Sequence, residues 1–181
     1  MITINDFKSI KIKEKSLIFL DIDETILYYD GITQKWWENT YNYYKKLLKN
    51  YSDNQIKILC IKEWSYLVST CNPCYTDEEG FKNLLKQIEE TNSKLIFITA
   101  RQNNHKHITK QNFKFLNIPY NKYDIYHLSG LPKGTFVKKL LKNNIILNSY
   151  KEKIFIDDMQ HNIDNMKLEF NNEIICYKFV I

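Results

Sequence analysis

The sequence predicts an α/β fold: a Rossmann-like parallel sheet of about five strands flanked by helices, with a helical insertion after the first strand. Three observations predict it. The apolar run Leu17-Ile18-Phe19-Leu20 leads directly into Asp21-Ile22-Asp23-Glu24-Thr25. A short continuous apolar run of this kind is the mark of a strand buried on both faces. From Lys94 onward, apolar runs alternate with segments of helical period, the pattern of parallel strands joined by right-handed helical crossovers. Finally, segments ending at Asp21/Asp23, Thr99 and Asp157/Asp158 bring polar groups to one edge of that sheet. Open α/β sheets place their ligands beyond the carboxyl ends of the strands.

The elements follow in order. Residues 1–15 are a polar lead-in or an edge strand, and the first core strand covers 16–21. Ile26 to Gly31 reads as a short extended or turn segment broken by Gly31. An excursion of about 60 residues follows. In it, Trp37, Tyr41, Tyr44 and Leu48 recur at helical spacing, with Lys45, Lys46 and Lys49 toward the helix end, where cations suit the dipole. Ile56, Leu59, Cys60, Trp64, Leu67 and Val68 mark a second helix, ended by the loop Thr70 to Cys74. Thr76-Asp77-Glu78-Glu79 is a helix start with acids in its first turn, and Phe81, Leu84, Leu85 and Ile88 form that helix's apolar face. Leu95 to Ile98 is the second core strand, ending in Thr99-Ala100-Arg101. A helix over 103–116 follows, with Ile108, Phe115 and Leu116 inward, then a weaker strand at 124–128. Leu131-Pro132-Lys133-Gly134 leads into a helix bearing Phe136, Val137, Leu140 and Leu141. Lys153 to Ile156 is the next strand, ending in Asp157-Asp158, and a helix near 161–169 and a strand near 173–180 complete the order.

Composition narrows the function. A chain of 181 residues with 44% hydrophobic content, 4 Gly and 3 Pro is a folded globule with few linkers. The net charge of +5 suits an anionic substrate and is too small to imply nucleic acid by itself. No basic segment followed by an apolar core opens the chain, and no run is long enough to span a membrane. The expectation is a cytoplasmic protein. Cys71-Asn72-Pro73-Cys74 has the spacing of half a zinc site or a redox pair, but no second pair accompanies it, so free thiols are the expected state.

Asp21 and Asp23 lie two residues apart at a strand end, so their side chains start on one side. Two carboxylates there suit a hard divalent cation, which offsets their repulsion. They equally suit covalent chemistry, in which one attacks a phosphoryl group and the other handles the leaving-group proton. A strand ending in ordinary polar loop residues is the bland alternative, and the downstream residues decide against it.

Four motifs in order resemble those of the haloacid dehalogenase superfamily. These are Asp21-Ile22-Asp23-Glu24-Thr25, Thr99-Ala100-Arg101, Lys133 in Leu-Pro-Lys-Gly, and Phe155-Ile156-Asp157-Asp158. The resemblance covers residues 16–35 and 94–170. It implies that Asp21 is a nucleophile forming an aspartyl-phosphate, and that Asp23 is the general acid and base. Thr99, with Ala100 and Arg101 beside it, would meet the substrate phosphoryl group, and Lys133 would balance charge between that group and Asp21. Mg²⁺ would be held by Asp21, Asp157 and the backbone carbonyl of Asp23, with Asp158 bound or adjacent. The insertion would form a small helical cap over residues 36–75, inserted into a core of 1–35 and 76–181. Such lids exclude water and choose the substrate.

The implied activity is Mg²⁺-dependent hydrolysis of a small phosphorylated metabolite or nucleotide. The basic, aromatic cap keeps a polynucleotide end phosphatase as a second reading. A phosphate- or nucleic-acid-binding module without turnover is the non-enzymatic one. Several nearby residues have plain readings. Thr25 suits a turn or helix cap, Asn162 a helix cap, and Arg101 a surface charge as well as a substrate contact. His105, His107 and His161 read as surface histidines, and Asp164 as solvated or supporting the site. Most of Trp36, Trp37, Tyr41, Tyr43, Tyr44, Trp64 and Tyr66 are expected to be core, with one or two free to stack on a base or sugar.

Overall fold

The computed structural model describes residues 2–171 and 173–181. The elements are β1 (Ile2–Ile4), β2 (Ser16–Leu20), β3 (Leu27–Tyr28), α1 (Gln34–Leu47), α2 (Asp53–Thr70), β4 (Cys74–Tyr75), α3 (Glu78–Glu90) and β5 (Lys94–Thr99). They continue with α4 (Lys106–Phe115), β6 (Asp124–His127), α5 (Lys133–Lys142), α6 (Ile145–Asn148), β7 (Glu152–Asp157), α7 (Gln160–Phe170) and β8 (Ile175–Phe179). Six strands form one sheet in the order β1-β8-β7-β2-β5-β6, and every pairing is parallel. The α/β architecture read from the sequence is therefore present, with one strand more than the five expected. The sixth is β1, which pairs Ile2–Ile4 with Tyr177–Phe179 and closes the edge beside β8.

Alternation along the central strands builds two cores. Ile18 and Leu20 of β2, Leu95 and Phe97 of β5, and Ile154 and Ile156 of β7 face one side with Phe81, Leu84 and Ile88 of α3 and Ile108 and Phe113 of α4. Leu17 and Phe19, Ile96 and Ile98, and Phe155 face the other, with Val137 and Leu141 of α5, Leu147 of α6 and Ile163 and Met166 of α7. β2 has neighbours on both edges and helices on both faces, so all five of its residues are buried. Its position at the centre is what carries Asp21 to the middle of the carboxyl edge.

Two details depart from the sequence reading. Phe115 is exposed and Phe113 is buried in its place. Ile108 and Leu116 are buried as expected, but the inward face of α4 also carries Thr109 and Asn112, polar side chains that bond to Arg101 and that an apolar pattern does not find. In the helical pair, α1 has no fully buried residue, and Tyr43 and Tyr66 stand exposed. Trp36 and Trp64 alone among the expected aromatic residues pack against the main core. Cys71 and Cys74 are exposed free thiols. Among the described residues no helix is long and apolar enough to cross a membrane.

Candidate active site

The chain leaves β2 through a tight turn. The amide of Asp21 still bonds to the carbonyl of Ile156 on β7 at 3.0 Å, which prolongs the sheet by one residue. Glu24 then adopts a left-handed backbone (φ 56°), and the amides of Ile26 and Leu27 both return to the carbonyl of Ile22 at 3.0 and 3.2 Å. The turn sends the side chains of Asp21 and Asp23 in different directions and into different partners.

Asp21 is buried and forms an anionic centre with Asp157 and Asp158 at the ends of β2 and β7. One oxygen of each of the three carboxylates lies within 4.8 Å of the others. Lys133, at the start of α5 and 2% exposed, donates to Asp21 Oδ1 and, at 2.6 Å, to Asp157 Oδ2. Asp157 Oδ1 accepts from the Met159 amide and from Asn162 Nδ2, both at 2.9 Å. Asn162 therefore fixes a site carboxylate and does not cap its helix. Thr25 is also part of the site. Its hydroxyl lies 3.3 Å from Asp21 Oδ2 and 3.4 Å from Asp158 Oδ1, and it accepts from the Asp158 amide at 3.1 Å.

Lys133 is placed by a close helix contact. A methyl group on Gly134 would lie 2.7 Å from the backbone oxygen of Asn165 on α7, and the Gly134 amide donates to Asn165 Oδ1 at 2.8 Å. Only a residue without Cβ lets the first turn of α5 approach this closely. That is the physical reason for glycine after the lysine.

The electrostatics of this centre are unbalanced. Burial raises the pKa of Asp21, Lys133 partly opposes the shift, and repulsion from Asp157 and Asp23 adds to it. Burial likewise raises Asp158, reinforced by Asp21 and Asp157. Burial alone would lower Lys133, but Asp157 and Asp21 outweigh it and keep the ammonium charged. One cation thus faces three carboxylates. Hard oxygen donors with unoffset negative charge fit a divalent cation such as Mg²⁺, and Asp21, Asp157 and Asp158 are the side chains that would hold it.

Asp23 lies outside that cluster and belongs to a second network. Arg101 Nε and Nη2 donate to its two carboxylate oxygens at 2.9 and 2.7 Å, a bidentate pair. Arg101 Nη1 donates to Thr109 Oγ1 and Asn112 Oδ1 at 3.0 and 2.9 Å, and Nη2 also reaches Tyr29 Oη at 3.3 Å. A guanidinium has five N–H donors, and these bonds engage them all. The Trp64 ring lies over it at 5.6 Å, a cation–π distance. Burial opposes the charge on Arg101, and Asp23 more than restores it. Tyr29 donates to Asn112 Oδ1 at 2.6 Å, and burial pushes its phenol up to about 12. Behind them, His127 Nε2 meets Thr109 Oγ1 at 2.9 Å, and burial holds that imidazole down at about 4, helped by Arg101.

Thr99 belongs to this second network. Its hydroxyl is buried, lies 3.4 Å from Asp23 Oδ2, and accepts from the Arg101 amide at 3.1 Å. The loop after β6 is tied to this segment by the Ser129 amide to the Arg101 carbonyl and the Gly130 amide to the Ala100 carbonyl, at 3.0 and 3.2 Å. Beside Asp23 opens a cavity of about 380 Å³, lined by Trp37, Ile61 and Trp64 of the helical pair and by Ala100, Arg101 and His105 among the core residues.

The predicted residues thus divide into two groups. Asp21, Lys133, Asp157 and Asp158 come together at one centre, while Asp23, Thr99 and Arg101 meet beside the cavity, with Ala100 on its wall. Arg101 is an interior residue and not a surface charge. His105 is buried too, its Nε2 2.9 Å from Ser65 Oγ, while His107, His161 and Asp164 are exposed. Tyr29, Thr109, Asn112 and His127 carried no motif. The only signal for Thr109, Asn112 and His127 was a polar side chain on the inward face of a helix or strand, and Tyr29, just past β3, offered none.

No protein-family model matches this sequence, and no curated protein sequence is detectably similar to it. Solved structures are similar. A Thermotoga maritima protein, provisionally identified as a beta-phosphoglucomutase, superposes with a TM-score of 0.55 at 13% identity, over 92% of this chain and 86% of the other. A haloacid dehalogenase-like family hydrolase from Streptococcus pneumoniae superposes with a TM-score of 0.57 at 15% identity, over 91% of this chain and 84% of the other. The chain therefore shares its α/β fold with these two proteins, one of them a haloacid dehalogenase-like hydrolase. On that fold, all four motifs read from the sequence lie at the carboxyl edge of the sheet.

Proposed function

We propose that the chain is a Mg²⁺-dependent phosphomonoester hydrolase that acts through an aspartyl-phosphate on Asp21. The observation that carries the reading is the pairing of Lys133 with both Asp21 and Asp157 inside a cluster of three carboxylates, with Asp23 held separately on the cavity side.

Phosphoryl transfer asks the protein mainly for positioning and for compensation of charge on the phosphoryl oxygens. Asp21, oriented by Thr25 and Lys133, attacks phosphorus with one carboxylate oxygen, and the bond from phosphorus to the ester oxygen breaks. Asp23 gives its proton to that leaving oxygen. Arg101 stabilises the carboxylate that remains, and this carboxylate then takes a proton from the water that attacks phosphorus. Phosphate departs, Asp21 is restored, and Asp23 again holds its proton. Thr99 and Lys133 hold the phosphoryl oxygens throughout. The metal, when bound by Asp21, Asp157 and Asp158, supplies further positive charge at the phosphoryl group. The helical pair roofs the cavity and limits the access of water.

The test is hydrolysis of a generic aryl phosphate with and without Mg²⁺, comparing the natural chain with Asp21→Asn. Turnover that requires Mg²⁺ and disappears in Asp21→Asn supports the reading. Turnover that survives the substitution rejects it.

A further inference from the structure

The 380 Å³ cavity beside Asp23 stands at the low end of ligand pockets, which run from roughly 300 to 1,000 Å³. It has room for one small ligand. The acid that would protonate the leaving oxygen lines it, so whatever carries that oxygen occupies this space.

The wall is mostly carbon. Trp37, Ile61 and Trp64 of the helical pair and Ala100 of the core supply its apolar lining. Arg101 also lines it, but its five N–H groups are engaged by Asp23, Thr109, Asn112 and Tyr29, which leaves no donor for a substrate hydroxyl. Besides Asp23 and Arg101, side-chain polar capacity is confined to the Gln102 amide, the Ser129 hydroxyl, which accepts from the Asn103 amide, and the His105 ring, whose Nε2 meets Ser65 Oγ. A polyol entering this space would lose hydrogen bonds to water that the wall replaces poorly. A flat aromatic ring would lose little and would gain stacking on the indoles.

We infer that this cavity is the leaving-group subsite and that it takes a nucleoside monophosphate, its base held among Trp37, Ile61 and Trp64, in preference to a sugar phosphate. The assignment rests on the phosphatase reading above. It specifies the class of alcohol released.

Trp37 is the residue to change, because Trp64 also covers Arg101 and its loss would disturb Asp23. In the presence of Mg²⁺, kcat/KM for nucleoside 5′-monophosphates should exceed that for glucose 6-phosphate and glycerol phosphate at least about tenfold. Trp37→Ala should shrink that ratio roughly tenfold to a hundredfold, through KM, the range expected for losing one base–aromatic stack. Trp37→Phe should keep most of it. Thermal melting of both variants checks their folding. Tryptophan fluorescence of Asp21→Asn supplies a readout without turnover: adenosine monophosphate should quench it saturably and glucose 6-phosphate should not.

Turnover with no preference for nucleotides, or a preference untouched in a folded Trp37→Ala protein, overturns the subsite and leaves the phosphatase. Preference for phosphotyrosine over every nucleotide overturns the nucleotide assignment. Saturable nucleotide quenching without any turnover sinks the phosphatase reading and the leaving-group assignment with it, and leaves only a nucleotide-binding cavity. Neither quenching nor turnover overturns both.

Discussion

Replacing Arg101 should cost this protein both stability and turnover. The guanidinium side chain is 1% exposed and its pair with Asp23 is bidentate, while the Asp23 side chain is 30% exposed. Removing one partner of a buried ion pair costs about 3–5 kcal/mol, chiefly because the other charge is left uncompensated. Water can reach Asp23 and recover part of that loss, so the lower end, about 3 kcal/mol, applies to Arg101→Ala. For a chain of this length, 1 kcal/mol moves the melting temperature by about 2–4 °C, which gives a drop of roughly 6–12 °C. Turnover should fall further than stability explains. A positioned general acid and base contributes about 10²–10⁴-fold, and an Asp23 carboxyl released from its fork loses much of that. The expected change is in kcat, with KM for the phosphate ester nearly constant. Arg101→Lys restores the charge but offers no planar fork for two carboxylate oxygens, so it should recover stability better than kcat. Steady-state kinetics, thermal melting and a double-mutant cycle with Asp23→Asn measure these effects. In the Asp23→Asn background, Arg101→Ala should add little further loss of kcat. An Arg101→Ala protein that melts and turns over like the natural chain, or losses that simply multiply in the double variant, would refute the reasoning.

Three other outcomes are expected. Lys133→Met should reduce kcat at least about a hundredfold by removing charge from the phosphoryl oxygens, while Mg²⁺ still raises the melting temperature because the three carboxylates remain. Mg²⁺ should stabilise the protein more at pH 8 than at pH 5. Asp21 and Asp158 have folded-state pKa values above the ordinary carboxylate value, so without metal their favourable contribution is complete below about 3.9 and is lost as pH rises through the folded values. Ionised ligands bind the cation best, which returns stability in that alkaline window; a melting shift equal at both pH values would count against the site. Gly134→Ala should destabilise by about 1–3 kcal/mol and lower kcat, because its methyl group meets the Asn165 carbonyl and must displace the turn that carries Lys133. Melting and turnover at natural levels would show that α5 yields freely.

The parts of the fold that were legible in the sequence are those where burial is continuous along the chain. β2, β5 and β7 each announce themselves by an unbroken apolar run ending in a polar residue, because a strand covered on both faces has no polar positions to spare. β1, with two exposed residues, carries no such run and was readable only as an edge strand or lead-in. Lys133, Asp157 and Asp158 were found because each sits beside a turn or strand end with its own local signature. Arg101 was found as a residue, with a surface charge and a substrate contact both left open for it, and its buried setting was not foreseen. Its partners Tyr29, Thr109 and Asn112 are scattered over 72, 8 and 11 positions from it, and nothing periodic links them. The same network explains why Phe115 was misplaced on α4 while Ile108 and Leu116 were not, since Thr109 and Asn112 take inward positions to satisfy a buried cation where an apolar pattern would place carbon. The aromatic residues of α1 and α2 were expected in a core by their spacing. Several instead line a cavity or face solvent, a distinction set by what lies opposite the helix and not by the helix itself.

The covalent step on Asp21 is tested most directly by trapping it. A phosphomonoester substrate is mixed with the protein and Mg²⁺, the reaction is quenched with borohydride in an aprotic solvent, and the peptide containing Asp21 is sequenced by mass spectrometry. Borohydride reduces an aspartyl-phosphate to homoserine and leaves a free carboxylate unchanged. The mechanism predicts homoserine at position 21, dependent on substrate and absent from Asp21→Asn. Steady release of phosphate with position 21 still aspartate throughout turnover, or with the modification at another carboxylate, would contradict it.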